Sequence, residues 1–483
     1  TTWLPVPFHI VKSKVTCHGT ARVQDKENVK ENLTPISHGG AKRPRANSAE
    51  EALRTKQEEE RQALLERQEN ARCDVCEAVL AASHLDVSAI DLASLQQARD
   101  NVLSALNAAR EVALPRAELW LAQRQRRRLH NAIQDRKGRL RVCCRVRPLS
   151  DTERRLHDPE VLRIVDDSHI ELLSQSGTAG FEFNGVFGPE CSQDVSEEIF
   201  QDSRDLAQSA VDGHNVTVFT YGQTGAGKTY TMFGNEQEDG LVQALIRELF
   251  DRVAGYCDEN QENCPNVVVT GSALELYNNH LVDLLRPVDH RGRQTPGLKV
   301  CSDAQGAVEI EGMAQIIARS PDELLAILRQ GLSQRTVAQH ALNIESSRSH
   351  LIFTVKLAHL SSDGKTTGIS KLTFCDLGGC ERLKRTQVVG ELQKEAIEIN
   401  KSLTALGDVI EAVAGQRKHV PYRNHKLTQL LRDAVGGTAK VLMYVCCSPA
   451  KSCATESAAA LKLASRAKGV ANQRLVPEEG TSD

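Results

Sequence analysis

The chain has 483 residues, 40% of them hydrophobic and 25% charged, which suits a folded protein with one large domain and an extension. A formal net charge of −3 argues against general binding to nucleic acid, so no nucleic-acid partner is expected. The sequence lacks a run of about 18 apolar residues, and the apolar start TTWLPVPFHI has no basic region before it. We therefore predict neither membrane insertion nor a secretory signal.

Composition divides the chain into four regions. Residues 1–48 mix Pro, Gly, Ser and charged residues without a sustained period, which predicts a disordered tail. Residues 49–137 are rich in Ala, Glu, Gln, Arg and Leu, which predicts a helical or coiled-coil stalk and neck. Residues 138–472 change to alternating strand-like and helical runs and should form the main domain, and residues 473–483 form a second disordered tail.

Apolar residues of the helical region recur in alternating steps of three and four, which is typical of a coiled coil. The series consists of Leu92, Leu95, Val102, Leu106, Ala109 and Ala113, and Arg99 occupies one position within it. Pro115 should end or kink the helix because it has no amide hydrogen to donate. A two-chain coiled coil and a helical hairpin within one chain both fit this pattern. We favour the coiled coil and therefore expect a homodimer.

Fourteen cysteines are present, and several lie in apolar strand-like runs such as Val142-Cys143-Cys144. We interpret them as reduced, buried residues that act as small hydrophobic side chains. Cys73 and Cys76 have the CxxC spacing but lie in a helix-like stretch without a second pair nearby, so a zinc or redox site is not favoured.

Six short runs rich in β-branched residues predict strands in the main domain: LRVCCRVRP, NVTVFTYG, NVVVTGSALELYN, SHLIFTVKLAHL, KLTFCDL and KVLMYVCCS. Helical segments such as SPDELLAILRQGL and KSLTALGDVIEAV lie between them. This alternation predicts an α/β fold with a central, mostly parallel or mixed sheet and helices on both faces.

A complete GxxxxGKT motif follows the strand NVTVFTY and precedes a helical segment. Its glycines allow successive amides to point inward and bind phosphate at a helix N-terminus. The lysine supplies charge for the terminal phosphates, and the threonine hydroxyl is suited to ligate Mg²⁺. The predicted nucleotide-binding residues are Gly222, Gln223, Thr224, Gly225, Ala226, Gly227, Lys228 and Thr229.

Two further segments have the composition of nucleotide switches. Residues 343–350 concentrate hydroxyl, guanidinium and amide groups before a strand, and residues 376–382 follow the apolar run LTFC. Asp376, at the end of that strand, can hold a water bound to Mg²⁺, and a nearby glycine amide can sense the γ-phosphate.

These segments resemble the two switch regions of the kinesins, NxxSSRSH and DLAGSE. The first match is complete, whereas the second has Gly378 for Ala and Cys380 for Ser. The resemblance covers about residues 126–470 and implies a kinesin motor domain, a P-loop NTPase that uses ATP and Mg²⁺.

The resemblance also assigns roles to single switch residues. Ser347 would approach Mg²⁺ or its water, and Asn343 would help to hold the closed switch. Arg348 would pair with Glu381 around the γ-phosphate and align the attacking water, while Gly379 would sense the phosphate. The predicted catalytic residues are therefore Asn343, Ser347, Arg348, Gly379 and Glu381, and the predicted metal site consists of Thr229, Ser347 and Asp376.

On the base side, Arg145, Arg147 and Pro148 resemble the RxRP element of the kinesins. Tyr230 follows the P-loop directly, where the family places a ring against the adenine. The resemblance thus adds these four residues to the predicted nucleotide site.

The segment after the second switch resembles the kinesin loop, relay helix and following loop that contact tubulin. Tubulin has an acidic surface, so basic side chains there favour encounter and make binding sensitive to salt. The predicted microtubule-binding residues are Lys384, Arg385, Lys401, Arg417, Lys418, Arg423 and Lys426. His425 replaces a serine that is usual in the family.

Residues 126–139 resemble the neck of kinesins whose motor is C-terminal, which typically move toward microtubule minus ends, although Arg139 stands where those motors usually have Asn. We therefore expect an ATP-hydrolysing, minus-end-directed microtubule motor of the cytoplasmic cytoskeleton, with the spindle as one location. The alternative is a non-motile microtubule-binding protein whose altered second switch supports little turnover. A P-loop GTPase or DNA-associated ATPase fits less well, because the chain lacks the guanine-reading NKxD signature.

Overall fold

A computed structural model describes residues 46–470, with gaps at 88, 138–139, 175–176, 192–197, 236, 255–266, 287–296, 303–306, 343–347, 362 and 381–390. The predicted tails, apart from residues 46–48, and Arg139 lie outside these described residues. The chain separates into two compact units, residues 1–66 and 67–483. In the first unit, the described residues belong to a helix whose Leu53, Leu64 and Leu65 are exposed.

The helices of the described residues include the helical segments named from the sequence, and the first three precede the sheet. Their bounds are α1 (Ala46–Ser83), α2 (Leu92–Glu111), α3 (Arg116–Lys137), α4 (Asp151–Arg155), α5 (Glu198–Val211), α6 (Lys228–Phe233), α7 (Leu241–Ala254), α8 (Pro321–Leu342), α9 (Glu391–Ala414), α10 (Lys426–Leu430) and α11 (Ala454–Lys468). The prediction that a helical region precedes the main domain is therefore confirmed.

Within the second unit, α2, α3 and residues 71–82 of α1 enclose a shared apolar core. Asp91 caps α2, its Oδ1 accepting a hydrogen bond from the Ser94 amide at 2.9 Å, and Pro115 separates α2 from α3 as predicted. Four positions of the predicted coiled-coil seam are completely or almost completely buried within this one chain: Leu95, Val102, Leu106 and Ala109. This is the arrangement of the helical hairpin, the alternative to the favoured coiled coil, and the homodimer remains a prediction.

Helix α3 contacts the main domain through buried polar groups. Arg126 Nη2 lies 2.6 Å from Asp212 Oδ1, and His130 Nε2 lies 2.9 Å from the Ser209 hydroxyl. Burial, together with the charge of nearby Lys440, lowers the pKa of His130 well below its usual value. The helical region is therefore attached to the main domain by a polar interface.

The strands of the described residues are β1 (Leu140–Val146), β2 (Leu162–Ile164), β3 (His169–Ser174), β4 (Gly177–Glu182), β5 (Gly185–Phe187), β6 (Val216–Tyr221), β7 (Val267–Tyr277), β8 (His280–Asp283), β9 (Lys299–Ser302), β10 (Val308–Glu311), β11 (Ile316–Ala318), β12 (His350–Leu360), β13 (Thr366–Asp376) and β14 (Lys440–Cys447). All six strands predicted from sequence are among them.

Nine of these strands form a central mixed sheet in the order β11-β7-β12-β13-β6-β14-β1-β5, with β8 paired to β7. The pairs on the β13-β6-β14-β1-β5 side are parallel, whereas β12 is antiparallel to both of its neighbours. Strands β6 and β14 are buried along their whole length, as expected for parallel strands that are covered on both faces.

Alternate residues of the sheet face two separate apolar cores. On β14, Leu442 and Tyr444 pack with α5, α6, α7 and α8, while Val441 and Met443 pack with α9, α10 and α11. The predicted α/β fold with helices on both faces is therefore confirmed.

The buried cysteines in the described residues are free thiols, including Cys143, Cys144 and Cys446, and Cys73 and Cys76 are exposed on α1. The residues that the structure describes contain no group of three or more His, Cys, Asp or Glu that could hold a metal ion. Among them, we also find no helix with the length and apolar character needed to span a bilayer.

A candidate nucleotide site and its switches

The P-loop connects the end of β6 to the start of α6, as the motif predicts. Gly222 has φ +153°, and a Cβ there would collide with the carbonyl oxygen of Cys446 on β14. Gly227 has φ +94°, in the left-handed region that favours glycine. These positions explain why the loop needs glycine: its backbone passes close to the sheet and then curls before the helix.

Lys228 and Thr229 begin α6 at the mouth of this loop. The buried Lys228 Nζ donates to the carbonyl oxygens of Gly222 and Gln223 at 3.0 and 2.8 Å. The Thr229 hydroxyl donates to Asp376 Oδ2 at 2.7 Å, and the Thr220 hydroxyl donates to Asp376 Oδ1 at 3.1 Å. The two predicted metal-site residues Thr229 and Asp376 thus lie together, because parallel strands β6 and β13 end at the same edge of the sheet.

Hydroxyl and carboxylate oxygens are the ligands that Mg²⁺ prefers, and Mg²⁺ usually binds through few protein groups and several waters. The Thr229–Asp376 pair beside a concave loop of backbone amides therefore fits a divalent cation that accompanies a phosphate chain. Ser347, the third predicted metal ligand, lies outside the described residues.

On the base side, the Arg145 guanidinium lies 5.1 Å from the centre of the half-buried Tyr230 ring. Arg145 Nη1 also donates to the Thr231 hydroxyl at 2.9 Å, and the Tyr230 hydroxyl donates to Glu238. Burial, followed by the hydrogen bond to Glu238, raises the pKa of Tyr230. The ring is therefore fixed in orientation beside the P-loop, which a stacking surface for a base requires.

Arg147, also predicted to contact nucleotide, braces the P-loop. Its Nε donates to the Gly225 carbonyl oxygen at 2.7 Å, and its two terminal nitrogens each lie 2.7 Å from a carboxylate oxygen of Glu153. This bidentate pair is the main cause that lowers the pKa of Glu153 to about 2. Glu153 was missed from the sequence, although Ser150-x-x-Glu153 carries a capping-box signal, and both capping bonds are present.

The second switch begins directly beside the P-loop. The Cys380 amide donates to the Gly222 carbonyl oxygen at 3.3 Å, and the Gly378 amide donates to Nδ1 of the buried His350 at 2.9 Å. Both positions that depart from the kinesin pattern are therefore anchored through their backbone amides, and buried Gly379 lies between them.

Three of the predicted catalytic residues, Asn343, Ser347 and Glu381, lie outside the described residues. Arg348 is described, and its Nη1 lies 3.1 Å from Oε2 of Glu395, near the start of α9. Glu395 also accepts a hydrogen bond from the Tyr277 hydroxyl at 2.5 Å. The predicted partner of Arg348 was Glu381, so Glu395 is a partner that the sequence did not indicate.

A buried ionic network behind the switches was also missed. Arg335 on α8 donates to the Ser349 hydroxyl at 3.1 Å and lies 3.4 Å from Glu275 Oε1 and 3.7 Å from Asp376 Oδ2. The Ser349 hydroxyl donates to Glu275 at 2.6 Å. Arg335 gave no sequence signal, since a single arginine in a helical pattern usually marks a solvated face.

The basic residues predicted to face the track occupy α9, α10 and the connection between them, and Lys384 and Arg385 lie outside the described residues. Arg417 is paired with Glu411 at 2.6 Å, and the exposed Lys401 lies 3.6 Å from Glu398. Lys418 and Arg423 are exposed and Lys426 is half-buried. The positive surface is therefore partly offset by acidic neighbours on α9.

His425, which stands where the family usually has serine, caps α10. Its Nδ1 accepts from the Leu427 amide at 3.0 Å, and its Nε2 lies 3.3 Å from Glu398 Oε1. The imidazole can thus replace a serine cap and additionally connects α10 to α9.

Comparison with known proteins shows that the chain is similar to kinesins. The family profile of the kinesin motor domain matches residues 145–470. Kinesin-like protein KIN-14E of Arabidopsis thaliana is 40% identical over 348 residues, which cover 72% of this chain and 27% of that protein. Kinesin-like protein KIN-14I of Oryza sativa subsp. japonica is 38% identical over 358 residues, 73% of this chain and 28% of that protein.

A solved structure of a fast kinesin is also similar, with a TM-score of 0.63 and 29% sequence identity. The similarity covers 72% of this chain and 96% of the fast kinesin chain. The chain spans little more than a quarter of the length of the two curated relatives above, 27% and 28%.

Proposed function

The chain belongs to the kinesin family, and from this premise we propose that it is an ATP-driven microtubule motor that moves toward the minus end. The observation that carries the proposal is the contact of 2.7 Å between the Thr229 hydroxyl and Asp376. This contact joins the P-loop to the start of the second switch. A change in the bound nucleotide can therefore change the conformation of the second switch, which precedes α9 in the chain.

The P-loop amides and Lys228 would bind the phosphates of ATP, and Arg145, Pro148 and Tyr230 would lie on its base side. Thr229, Ser347 and, through a water, Asp376 would hold Mg²⁺, which when bound neutralises charge on the phosphates. Arg147 would act on the nucleotide indirectly, by holding the Gly225 carbonyl oxygen in place.

For hydrolysis, Arg348 and Glu381 would close the two switches and align the attacking water, with Asn343 and Gly379 supporting the closed state. The backbone anchors of Gly378 and Cys380 favour a working second switch over the non-motile alternative, because the substituted side chains do not make these two contacts.

For track binding, the basic residues on α9, α10 and their connection would meet the acidic surface of tubulin. Residues 126–139, which resemble the neck of kinesins whose motor is C-terminal, support minus-end movement on the cytoskeleton. The published description of the fast kinesin refers to its ATPase mechanism and its interactions with microtubules, which supports the same activity here.

The test is steady-state ATP hydrolysis by the full chain with and without polymerised microtubules. We expect strong stimulation by microtubules and its loss in Lys228→Ala. Lys365→Ala, which alters a lysine that is 83% exposed in the turn between β12 and β13, is the control and should behave as the wild type. Tight microtubule binding without stimulated hydrolysis would refute the proposal and leave the non-motile alternative.

Stimulated hydrolysis then allows the direction to be measured. Surface-attached protein should move polarity-marked microtubules with their plus ends leading, since a motor that moves toward the minus end drives the filament plus end first. Movement with the minus ends leading would contradict the proposed direction while leaving the ATPase in place.

A further inference from the structure

Three elements meet at one carboxylate beside the first switch. Glu395 lies near the start of α9, Arg348 lies two residues before β12, and Tyr277 is the last residue of β7. Oε2 of Glu395 lies 3.1 Å from Arg348 Nη1, while Oε1 accepts from the Tyr277 hydroxyl at 2.5 Å. The Arg348 and Glu395 side chains are only 16% and 13% exposed, so solvent screens this pair little.

The Tyr277 hydroxyl orients the carboxylate toward Arg348 for the position of α9 seen in the structure. Burial raises the pKa of Tyr277, and its hydrogen bond to Glu395 raises it further, so Tyr277 remains a donor at neutral pH. Glu395 is therefore held at two oxygens by two different elements and has little freedom to change its own orientation.

Arg348 is followed directly by a residue whose contacts lead toward the nucleotide site. The next residue, Ser349, bonds to Glu275 and Arg335, and Arg335 approaches Asp376 to 3.7 Å. A displacement of Arg348 would therefore move Ser349 and disturb these buried contacts, the last of which reaches Asp376 in the proposed metal site.

At the other side, α9 carries the exposed Lys401 six residues after Glu395. A helix rises about 1.5 Å per residue, so a shift of α9 by one such step would lengthen the contact of 3.1 Å beyond hydrogen-bond reach. A small movement of α9 on the track is therefore sufficient to break or remake the pair.

We propose that Glu395 is a positioning residue that sets the guanidinium of Arg348 according to the position of α9, and so transmits microtubule contact to the ATPase site. This role rests on the proposed function. It is partial, because the His350 ring also connects α9, through the Ser402 hydroxyl at 2.8 Å, to the Gly378 amide of the second switch.

The test uses the full chain and measures the stimulation ratio, the ATPase rate at saturating microtubules divided by the rate without them. Glu395→Gln should lower this ratio by about fivefold, the lower end of typical coupling between sites. Tyr277→Phe should lower it in the same direction by less, and it removes only one hydroxyl, so it covers the case in which Glu395→Gln fails to fold. Asp408→Asn, which removes an exposed negative charge from the same helix, is the matched control and should keep the wild-type ratio.

A double-mutant cycle with Arg348→Gln separates positioning from general damage. If Glu395 acts through Arg348, adding Glu395→Gln to Arg348→Gln should change the ratio by less than about twofold. Independent effects that multiply in the double variant, or a wild-type ratio in both Glu395→Gln and Tyr277→Phe, would overturn this role of Glu395. A wild-type chain that microtubules do not stimulate would instead overturn the proposed function, and this role with it.

Discussion

Replacement of Asp212 by alanine should detach the helical region from the main domain. The Asp212 side chain is completely buried, the Arg126 side chain is 6% exposed, and 2.6 Å separates Arg126 Nη2 from Asp212 Oδ1. The Gln208 amide donates to the same oxygen at 3.0 Å. Asp212→Ala therefore leaves a buried guanidinium without its closest carboxylate.

Breaking a buried ion pair from one side typically costs about 3–5 kcal/mol, and the lost hydrogen bond from Gln208 adds about 1 kcal/mol. We expect a loss near the lower end, about 3 kcal/mol, because Arg126 can turn toward solvent once α3 loosens. Hydrogen exchange at the amides of α3 should report this directly, since opening of α3 should become about 100-fold more frequent.

Two variants make the result decisive. Asp205→Ala, about two turns before Asp212 and on α5, removes a carboxylate that is 26% exposed, lies 3.4 Å from Arg99 and accepts from Gln134 of α3 at 3.0 Å. It should cost only about 1–2 kcal/mol, less than Asp212→Ala, because the carboxylate is partly solvated. Arg126→Met with Asp212→Leu removes both charges and should restore most of the protection of α3. Two results would refute this explanation. One is an unchanged rate of hydrogen exchange in α3 of Asp212→Ala, and the other is exchange in the double variant as fast as in Asp212→Ala.

Three further predictions follow from buried groups. Glu153→Gln should raise KM for ATP about fivefold. The substitution weakens the bond between Glu153 and Arg147, which holds the P-loop, by about 1 kcal/mol. An unchanged KM would contradict this prediction. Complete burial lowers the pKa of His350 to about 3 in the folded chain. Below about pH 6.5, His350 is therefore protonated in the unfolded chain but stays neutral in the folded chain. The free energy of unfolding should fall as the pH is lowered, by up to about 1.4 kcal/mol per pH unit. Urea unfolding between pH 7 and 5.5 measures this, and His350→Gln should show a flatter pH dependence. Leu106→Ala should destabilise the α1–α3 core by about 2–5 kcal/mol at every protein concentration, because its neighbours belong to the same chain. A loss that varies with concentration would instead indicate a partner chain.

Local patterns were sufficient for the parts of the site that are continuous in sequence. The P-loop was predicted as a strand, loop and helix, and it has that form because the glycine conformations and the helix start are properties of eight adjacent residues. The six predicted strands formed for a similar reason, since a run of β-branched residues has few alternatives once both of its faces are buried.

Sequence patterns did not predict which groups individual charged side chains contact. The resemblance implies that Arg348 pairs with Glu381, which lies outside the described residues, and the structure adds a contact of Arg348 with Glu395, 47 positions away. The resemblance places Arg147 in the nucleotide site, and the structure adds contacts of its donors with the Gly225 carbonyl oxygen and Glu153. Neither contact has a sequence pattern, because a charged side chain can satisfy its donors with any acceptor that the fold brings within reach.

In the helical region, too, the sequence predicts which residues are buried but not which surface covers them. The sequence by itself determined that Leu95, Val102 and Leu106 would be buried, because their spacing places them on one face of a helix. It could not determine what would cover that face, since a second chain and a neighbouring helix present the same apolar surface. Only the tertiary structure decided this, by turning the chain at Pro115 so that α3 returns along α2, and by holding α3 on the main domain through Arg126 and Asp212.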